Sequence, residues 1–143
     1  MNMEKLKEFF KKDTLAQTLG IEIEEASFEK TICYMIVSEN FLNAKGGVHG
    51  GTIYSLADFA FAVSSNLGGK LCVTLDANVT YFRPAKDNKL VATAVLVSST
   101  KHTCNYIISV CDGQGRLIAN VVMNGYRNDV DISFDWFTLF CIL

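Results

Sequence analysis

The feature that most constrains this chain is a long apolar segment containing a single charged side chain. Between Lys45 and Lys70 the only formally charged residue is Asp58, which lies among leucine, alanine and phenylalanine. Apolar residues recur here at the spacing of one helix face, which predicts a helix over about 51–66. The recurring positions are Ile53, Leu56, Ala57, Ala60, Phe61 and Ser64. A helix this apolar has to be covered by the rest of the chain.

Both the carboxylate and the start of this helix point to chemistry. A carboxylate in apolar surroundings is disfavoured unless it is paired, hydrogen-bonded or used, so Asp58 is a candidate functional residue. The helix begins at His49-Gly50-Gly51, where the first backbone N–H groups have no partner within the helix. Two glycines let a negatively polarised oxygen approach these donors and the positive end of the helix dipole. The plain alternatives are a solvent-facing aspartate and a tight turn before a helix.

Composition limits the possible partners. At 143 residues the chain fits one domain, and its 50% hydrophobic and 20% charged residues argue for a compact core. The formal net charge of −2 gives no general attraction to nucleic acid or to an anionic membrane, so we expect a small-molecule partner. The N-terminus lacks an apolar signal core, and no apolar run is long enough to predict a membrane span. The cytoplasm is therefore the expected compartment.

The cysteines show neither CxxC spacing nor an even count, which argues against a disulfide framework. The five residues are Cys33, Cys72, Cys104, Cys111 and Cys141. We expect reduced, mostly buried thiols and no metal site.

Shorter elements are predicted on both sides of the central helix. Residues 3–18 predict a short helix that Gly20 ends. Alternating residues predict a hairpin of two strands at 21–27 and 31–38. Further strands are predicted at 71–83, 90–100, 103–111 and 116–127, with a turn at residues 112–115 joining the last two. This order favours an α+β fold, an antiparallel sheet of five to six strands wrapped around one long central helix.

Two segments carry more specific expectations. The strand at 71–83 alternates, so its apolar face is expected to meet the core and its polar face the solvent. That apolar face comprises Leu71, Val73, Leu75, Ala77, Val79 and Tyr81. Residues 128–143 form an apolar tail beyond the domain at 1–127, and three readings stay open for it: a docked strand or helix, a partner-binding tail, or an artificial extension.

The central motif resembles that of the hotdog-fold acyl-CoA thioesterases, and within them the phenylacetate-pathway (PaaI-type) group. An asparagine lies six residues before His-Gly-Gly, an aspartate lies nine residues after that histidine, and a later strand leads to an arginine-proline-alanine turn. The matching residues are Asn43, His49, Gly50, Gly51, Asp58, Thr74 and Arg83-Pro84-Ala85. The order of elements is similar from about residue 8 to Arg127, so the resemblance implies the hotdog fold for most of the chain.

The resemblance implies hydrolysis of an acyl-CoA thioester to free acid and coenzyme A, with no metal and no cofactor beyond the coenzyme A of the substrate. The backbone N–H of Gly50 or Gly51 would hold the carbonyl oxygen, which is oxyanion-hole stabilisation. Asp58 would act as general base on water or attack the carbonyl directly, and both roles stay open. The supporting roles are a side-chain donor from Asn43, thioester positioning by His49 and orientation of the water by Thr74.

Coenzyme A carries phosphates, so basic side chains are expected near the mouth of the site. The candidates for binding it are Arg83, Pro84, Lys86 and Lys101. For each cation the alternative is an ordinary solvated charge.

Helix geometry adds a prediction about assembly. At a rise of about 1.5 Å per residue, Asp58 lies about 12 Å along the helix from Gly50, farther than an aspartate side chain reaches. One chain therefore cannot bring both residues to one carbonyl, whereas a second chain with an antiparallel helix can. We expect a homodimer with two shared sites, and the resemblance implies dimers that pair into homotetramers.

Two other functions are alternatives to thioester hydrolysis. A hotdog dehydratase or hydratase needs an acid–histidine pair on the central helix, and the sequence offers none there. A non-catalytic acyl-CoA or acyl-carrier sensor on the same fold would bind without Asp58 and show no turnover. The presence of Asp58 favours catalysis, whereas the choice between an aryl and an aliphatic acyl group stays open.

Overall fold

Two short helices precede the sheet in the computed structural model, which describes residues 3–132. Helix α1 spans Met3–Phe10 and helix α2 spans Thr14–Leu19, where the sequence predicted a single helix. The chain breaks at Asp13, whose side chain accepts a hydrogen bond from the backbone N–H of Ala16 at 2.9 Å and so caps a new helix. Gly20 ends α2 with φ 67°, as predicted.

Six antiparallel strands form one sheet in residues 3–132. They are β1 Glu22–Ala26, β2 Lys30–Ile36, β3 Lys70–Tyr81, β4 Lys89–Ser99, β5 Thr103–Asp112 and β6 Leu117–Asp131. Their order across the sheet is β1-β2-β4-β5-β6-β3, and each neighbouring pair is antiparallel. The predicted α+β fold is confirmed, including the β1–β2 and β5–β6 hairpins.

Helix α3 spans Gly50–Asn66 and contacts all six strands, so the sheet wraps around it. The six residues predicted to form its inner face are all buried, and Phe59 and Val63 are buried as well. The helix therefore buries more than one stripe and forms the centre of the core. No helix in the described part of the chain, residues 3–132, is long and apolar enough to cross a membrane.

Strand β3 corrects the prediction that its apolar face meets the core. Val73, Leu75 and Tyr81 are 49%, 59% and 50% exposed, and Cys72 is the one fully buried residue of the strand. These side chains are exposed because β3 lies at the edge of the sheet, where β6 is its only neighbour among residues 3–132. An irregularity between Thr74 and Asp76 places Leu75 out of register with β6 and reverses the facing of the residues that follow.

Strand β6 is longer than predicted. It continues beyond Arg127 to Asp131, which pairs with Lys70 at the start of β3. Residues 128–131 of the predicted tail are therefore part of strand β6, and residues 133–143 lie outside the described residues.

The four described cysteines are free thiols. Cys33, Cys72 and Cys104 are buried and Cys111 is partly buried, while Cys141 lies outside the described residues. The Sγ atoms of Cys72 and Cys104 lie 3.4 Å apart and share a hydrogen bond.

Candidate active site

Asn43 organises the loop that leads into α3. Its Oδ1 accepts hydrogen bonds from the backbone N–H groups of Lys45 at 2.9 Å and Gly47 at 3.2 Å. The backbone of Asn43 also donates to the carbonyl of Gly47, and that of His49 donates to the carbonyl of Phe41. The side-chain oxygen is thus committed to the loop. The Nδ2 group has no partner among residues 3–132 and is the part of Asn43 that can donate to a ligand.

His49 occupies the N-cap position of α3 and accounts for most of the first-turn donors. Its Nδ1 atom accepts a hydrogen bond from the N–H of Gly51 at 2.8 Å. Its carbonyl accepts the N–H groups of Thr52 and Ile53, at 2.9 and 3.2 Å. In the described chain this leaves the N–H of Gly50 as the donor of the first turn without a partner. The sequence left Gly50 and Gly51 as alternatives for an oxyanion donor, and the geometry favours Gly50.

Tyr81 is a residue of this site that the sequence analysis assigned to the core instead. Its hydroxyl donates a hydrogen bond to the carbonyl of Gly50 at 2.9 Å. A Cβ atom on residue 50 would lie 3.2 Å from both Cζ and the hydroxyl oxygen of Tyr81, which is tighter than ordinary packing. Glycine at position 50 therefore permits the close approach of the end of β3 to the start of α3. Gly50 was the feature of the sequence that could have indicated this contact. Its partner Tyr81 lies 31 residues away, so no local pattern identifies it.

Asp58 is half-buried on α3, and the structure gives it no hydrogen bond or ion pair within residues 3–132. Burial raises the pKa of the Asp58 carboxyl above its ordinary value of 3.8, and the negative charge of Asp13 raises it further. Tyr54 lies one helical turn before it, and burial followed by the charge of Asp58 raises the pKa of the Tyr54 hydroxyl. A half-buried, unpaired carboxylate of raised pKa has the properties of a general base or nucleophile.

Thr74 lies on the helix-facing side of β3. It pairs with Gly125 of β6, and cross-strand partners share one face of a sheet. A Cβ on residue 125 would lie 2.8 Å from Cζ of Phe61, so this pair faces α3 one turn after Asp58. Thr74 itself is exposed in the single chain, so its hydroxyl is accessible.

The predicted coenzyme A residues fall into two separate places. Arg83, Pro84 and Lys86 are exposed on the β3–β4 connection, which begins next to Tyr81 and the start of α3. Lys101 lies on the β4–β5 turn, at the opposite end of an 11-residue strand. A strand of that length spans about 35 Å, so one chain does not bring Lys101 to the other three.

The β3–β4 connection is held by a buried carboxylate. Asp112, 2% exposed, accepts hydrogen bonds from Nε of Arg116 at 2.9 Å and from the backbone N–H of Lys86 at 3.3 Å. Burial opposes ionisation, but the hydrogen bonds from Arg116 outweigh it and lower the pKa of Asp112 to about 2. A guanidinium nitrogen of Arg116 also donates to the carbonyl of Pro84 at 3.4 Å. The turn that presents Arg83 and Lys86 is therefore fixed at two points.

Within residues 3–132, a six-stranded antiparallel sheet wraps around one helix, with an unpartnered N–H at the helix start and an unpaired carboxylate about two turns along. This is the arrangement that the resemblance to the hotdog-fold thioesterases implies, and the comparisons with known proteins support it. Residues 45–119 match the thioesterase superfamily. The chain belongs to that superfamily.

Individual relatives agree with this assignment. The chain is 36% identical over 131 residues to a putative esterase of Archaeoglobus fulgidus, with 90% of this chain and 85% of the relative covered. It is 32% identical over 111 residues to acyl-coenzyme A thioesterase PaaI of Escherichia coli, with 77% and 79% covered. The structure of the E. coli PaaI protein from the phenylacetic acid degradation operon superimposes with a TM-score of 0.85 at 28% identity, over 92% of this chain and 96% of that one.

Proposed function

We propose that this hydrolase cleaves acyl-CoA thioesters to the free acid and coenzyme A at a site shared by two subunits. The observation that carries the proposal is that the N–H of Gly50 at the start of α3 and the carboxylate of Asp58 on the same helix both lack a partner within residues 3–132. The first suits a developing oxyanion and the second suits activation of water. The names of the relatives support acyl-CoA as the substrate class.

The thioester carbonyl oxygen is bound by the Gly50 N–H, with the Nδ2 group of Asn43 as a second donor. Each well-placed donor to an oxyanion is worth roughly 3 kcal/mol of transition-state stabilisation. His49 holds the thioester in place from the same helix start. The donors exist before the substrate arrives, because the Asn43 loop and the His49 cap already fix this backbone.

Asp58 then activates a water molecule that attacks the carbonyl carbon, or attacks it directly to give an anhydride that water hydrolyses. Its raised pKa makes the carboxylate a stronger base than an exposed aspartate. Thr74 orients the water, since its hydroxyl both accepts and donates hydrogen bonds. The coenzyme A thiolate leaves and takes up the proton that the attacking water gives up. This chemistry requires no metal and no cofactor beyond the substrate's coenzyme A.

The site requires a second copy of the chain, because Asp58 lies about 12 Å along α3 from Gly50. The exposed edge of β3 supports a homodimer, since its backbone has no neighbour on one side among residues 3–132 and side chains such as Val73 and Leu75 face solvent there. We further propose that dimers pair into homotetramers through the face of the sheet that points away from α3. There Val95, Ile107 and Val122 are cross-strand partners, 45%, 41% and 44% exposed.

Arg83 and Lys86 bind the phosphates of coenzyme A, and Pro84 shapes the turn between them. Their nearness to Tyr81 and the start of α3 supports this role. Lys101 contributes only if the partner subunit brings it to the same mouth. The free cysteines support a reducing compartment, and we propose the cytoplasm.

The test is release of coenzyme A, followed by chromatography, from phenylacetyl-type and straight-chain acyl-CoA thioesters. Asp58→Asn is expected to lower turnover at least ~100-fold, in line with loss of a positioned general base. Asp129→Asn removes an exposed carboxylate that makes no hydrogen bond or ion pair in the described chain and serves as the matched control. Tight binding of acyl-CoA by the wild type without turnover would instead support the acyl-CoA or acyl-carrier sensor.

A further inference from the structure

A single peptide group links Tyr81 to His49. The Tyr81 hydroxyl donates to the carbonyl oxygen of Gly50 at 2.9 Å. The N–H of the same peptide group, on Gly51, donates to Nδ1 of His49 at 2.8 Å. Two side chains 32 positions apart thus sit at opposite ends of one amide.

This chain of hydrogen bonds fixes the protonation pattern of the imidazole. A nitrogen that accepts an N–H hydrogen bond carries no proton, so the neutral ring of His49 holds its proton on Nε2. His49 therefore offers the Nε2–H group as a donor on the side away from the helix. Because Nε2 carries the proton, it cannot act as a base. A hydrogen bond to an amide carbonyl polarises the amide and strengthens its N–H as a donor, so Tyr81 reinforces the contact to Nδ1.

In the part of the chain that the structure describes, the bond from the N–H of Gly51 is the one hydrogen bond that the imidazole makes. His49 is exposed, so packing does not fix its ring. Both glycines are needed for the contacts, because a Cβ on residue 51 would lie 3.0 Å from Nδ1 of His49 and a Cβ on residue 50 would lie 3.2 Å from the Tyr81 ring. The two consecutive glycines fit this path of hydrogen bonds as well as they fit an approaching substrate.

We propose that Tyr81 is a positioning residue which, through the Gly50–Gly51 peptide, holds His49 as an Nε2–H donor to the thioester carbonyl. The inference rests on the proposed thioesterase function. It adds Tyr81 to the site and assigns His49 as a second donor to the carbonyl oxygen. The Gly50 N–H and the His49 Nε2–H then approach one oxygen from the same helix start. Tyr81 touches neither the substrate nor the water in this arrangement.

The kinetic test compares Tyr81→Phe with the wild type on an acyl-CoA substrate. Phenylalanine keeps the ring against Gly50 and removes one neutral hydrogen bond, so kcat is expected to fall about 3- to 10-fold with KM unchanged. Tyr126→Phe is the matched control, because Tyr126 is a 41% exposed strand tyrosine whose hydroxyl has no hydrogen bond in the described chain. Equal turnover in Tyr81→Phe and the wild type would overturn the inference and leave the proposed function standing.

A double-mutant cycle separates action through His49 from action elsewhere. Serine at position 49 keeps an N-cap side chain and removes the imidazole donor. In the His49→Ser background the further change Tyr81→Phe is expected to have no effect on kcat. If the two losses multiply instead, Tyr81 does not act through His49.

A spectroscopic measurement tests the tautomer of His49 independently of enzymatic activity. The chain has two histidines, so ¹⁵N-histidine NMR with the His49→Ser variant assigns both rings. His49 is expected to show a protonated Nε2 and an unprotonated Nδ1 in the wild type and in Tyr126→Phe. In Tyr81→Phe its nitrogen shifts should move toward those of free imidazole, where both tautomers are populated. Unchanged shifts would overturn the inference, even for a protein that hydrolyses no thioester.

Discussion

Asp13, the cap of α2, lies close enough to Asp58 of α3 for its negative charge to raise the pKa of the Asp58 carboxyl. Burial is the larger cause of that rise and Asp13 is the second. A residue of the N-terminal helical pair thus influences the proposed base from outside the motif that contains it.

Removal of the Asp13 charge is expected to shift the acid limb of kcat/KM to lower pH. Catalysis by Asp58 needs the ionised carboxylate, so activity falls as the pH drops through its pKa in the folded protein. Asp13→Asn lowers that pKa toward the ordinary value and extends activity into more acidic solution. Asparagine is also a good N-cap, so the melting temperature should change little. pH–rate profiles of the variant test this. If the acid limb of kcat/KM does not shift, the titration of another group sets it.

Alanine at position 50 should separate stability from activity. Glycine is unfavourable inside a helix, so Gly50→Ala gains up to about 1 kcal/mol of helix propensity. Its Cβ, however, would lie 3.2 Å from the Tyr81 ring and would obstruct access to the Gly50 N–H. We expect kcat to fall about 100-fold, as for loss of an oxyanion donor. Thermal melting and turnover measured together test this, and an active variant would show that a Cβ at position 50 does not obstruct the N–H of that residue.

The proposed dimer contact at the edge of β3 can be tested by introducing one charged side chain. Leu75→Lys introduces a cation at a residue that is 59% exposed in the single chain and lies at the proposed dimer contact. We expect monomers in analytical ultracentrifugation and a fall in turnover in parallel with the monomer fraction, because each site needs two chains. Leu15→Lys is the matched control, since Leu15 is 58% exposed on α2. An active monomer would contradict the shared site.

The proposed phosphate contacts predict a substrate-dependent loss. Arg83→Ala with Lys86→Ala should raise KM for an acyl-CoA about 3- to 10-fold, since exposed charge contacts are individually modest. The same variant should hydrolyse a short thioester without phosphates, such as an acyl-N-acetylcysteamine, as well as the wild type does. An equal rise in KM for both substrates would place these residues outside phosphate binding.

Local patterns in the sequence were sufficient to predict most of the fold. Helix α3 followed from the spacing of its apolar residues, and the end of α2 followed from Gly20, which adopts the left-handed conformation there. The hairpins followed from alternation and turn residues. The combination of Asn43, His49 and Asp58 was found through a family resemblance, since each residue alone is common.

The features that the sequence did not predict depend on distant parts of the chain. The exposure of β3 depends on its place at the sheet edge, beside β6, which no local alternation encodes. Tyr81 meets Gly50 across 31 residues. The choice between Gly50 and Gly51 as donor depends on the orientation of the His49 ring, which the spacing of residues leaves free.

The exposed edge of β3 also bears on the life of the newly made chain. A 12-residue edge strand with apolar residues such as Val73 and Leu75 facing solvent is a template for incorrect pairing between molecules. A second subunit on that edge would remove the hazard. Selection against aggregation and selection for hydrolysis then act on the same strand. Substitutions there should lower the yield of folded protein more than they lower the activity of each assembled molecule.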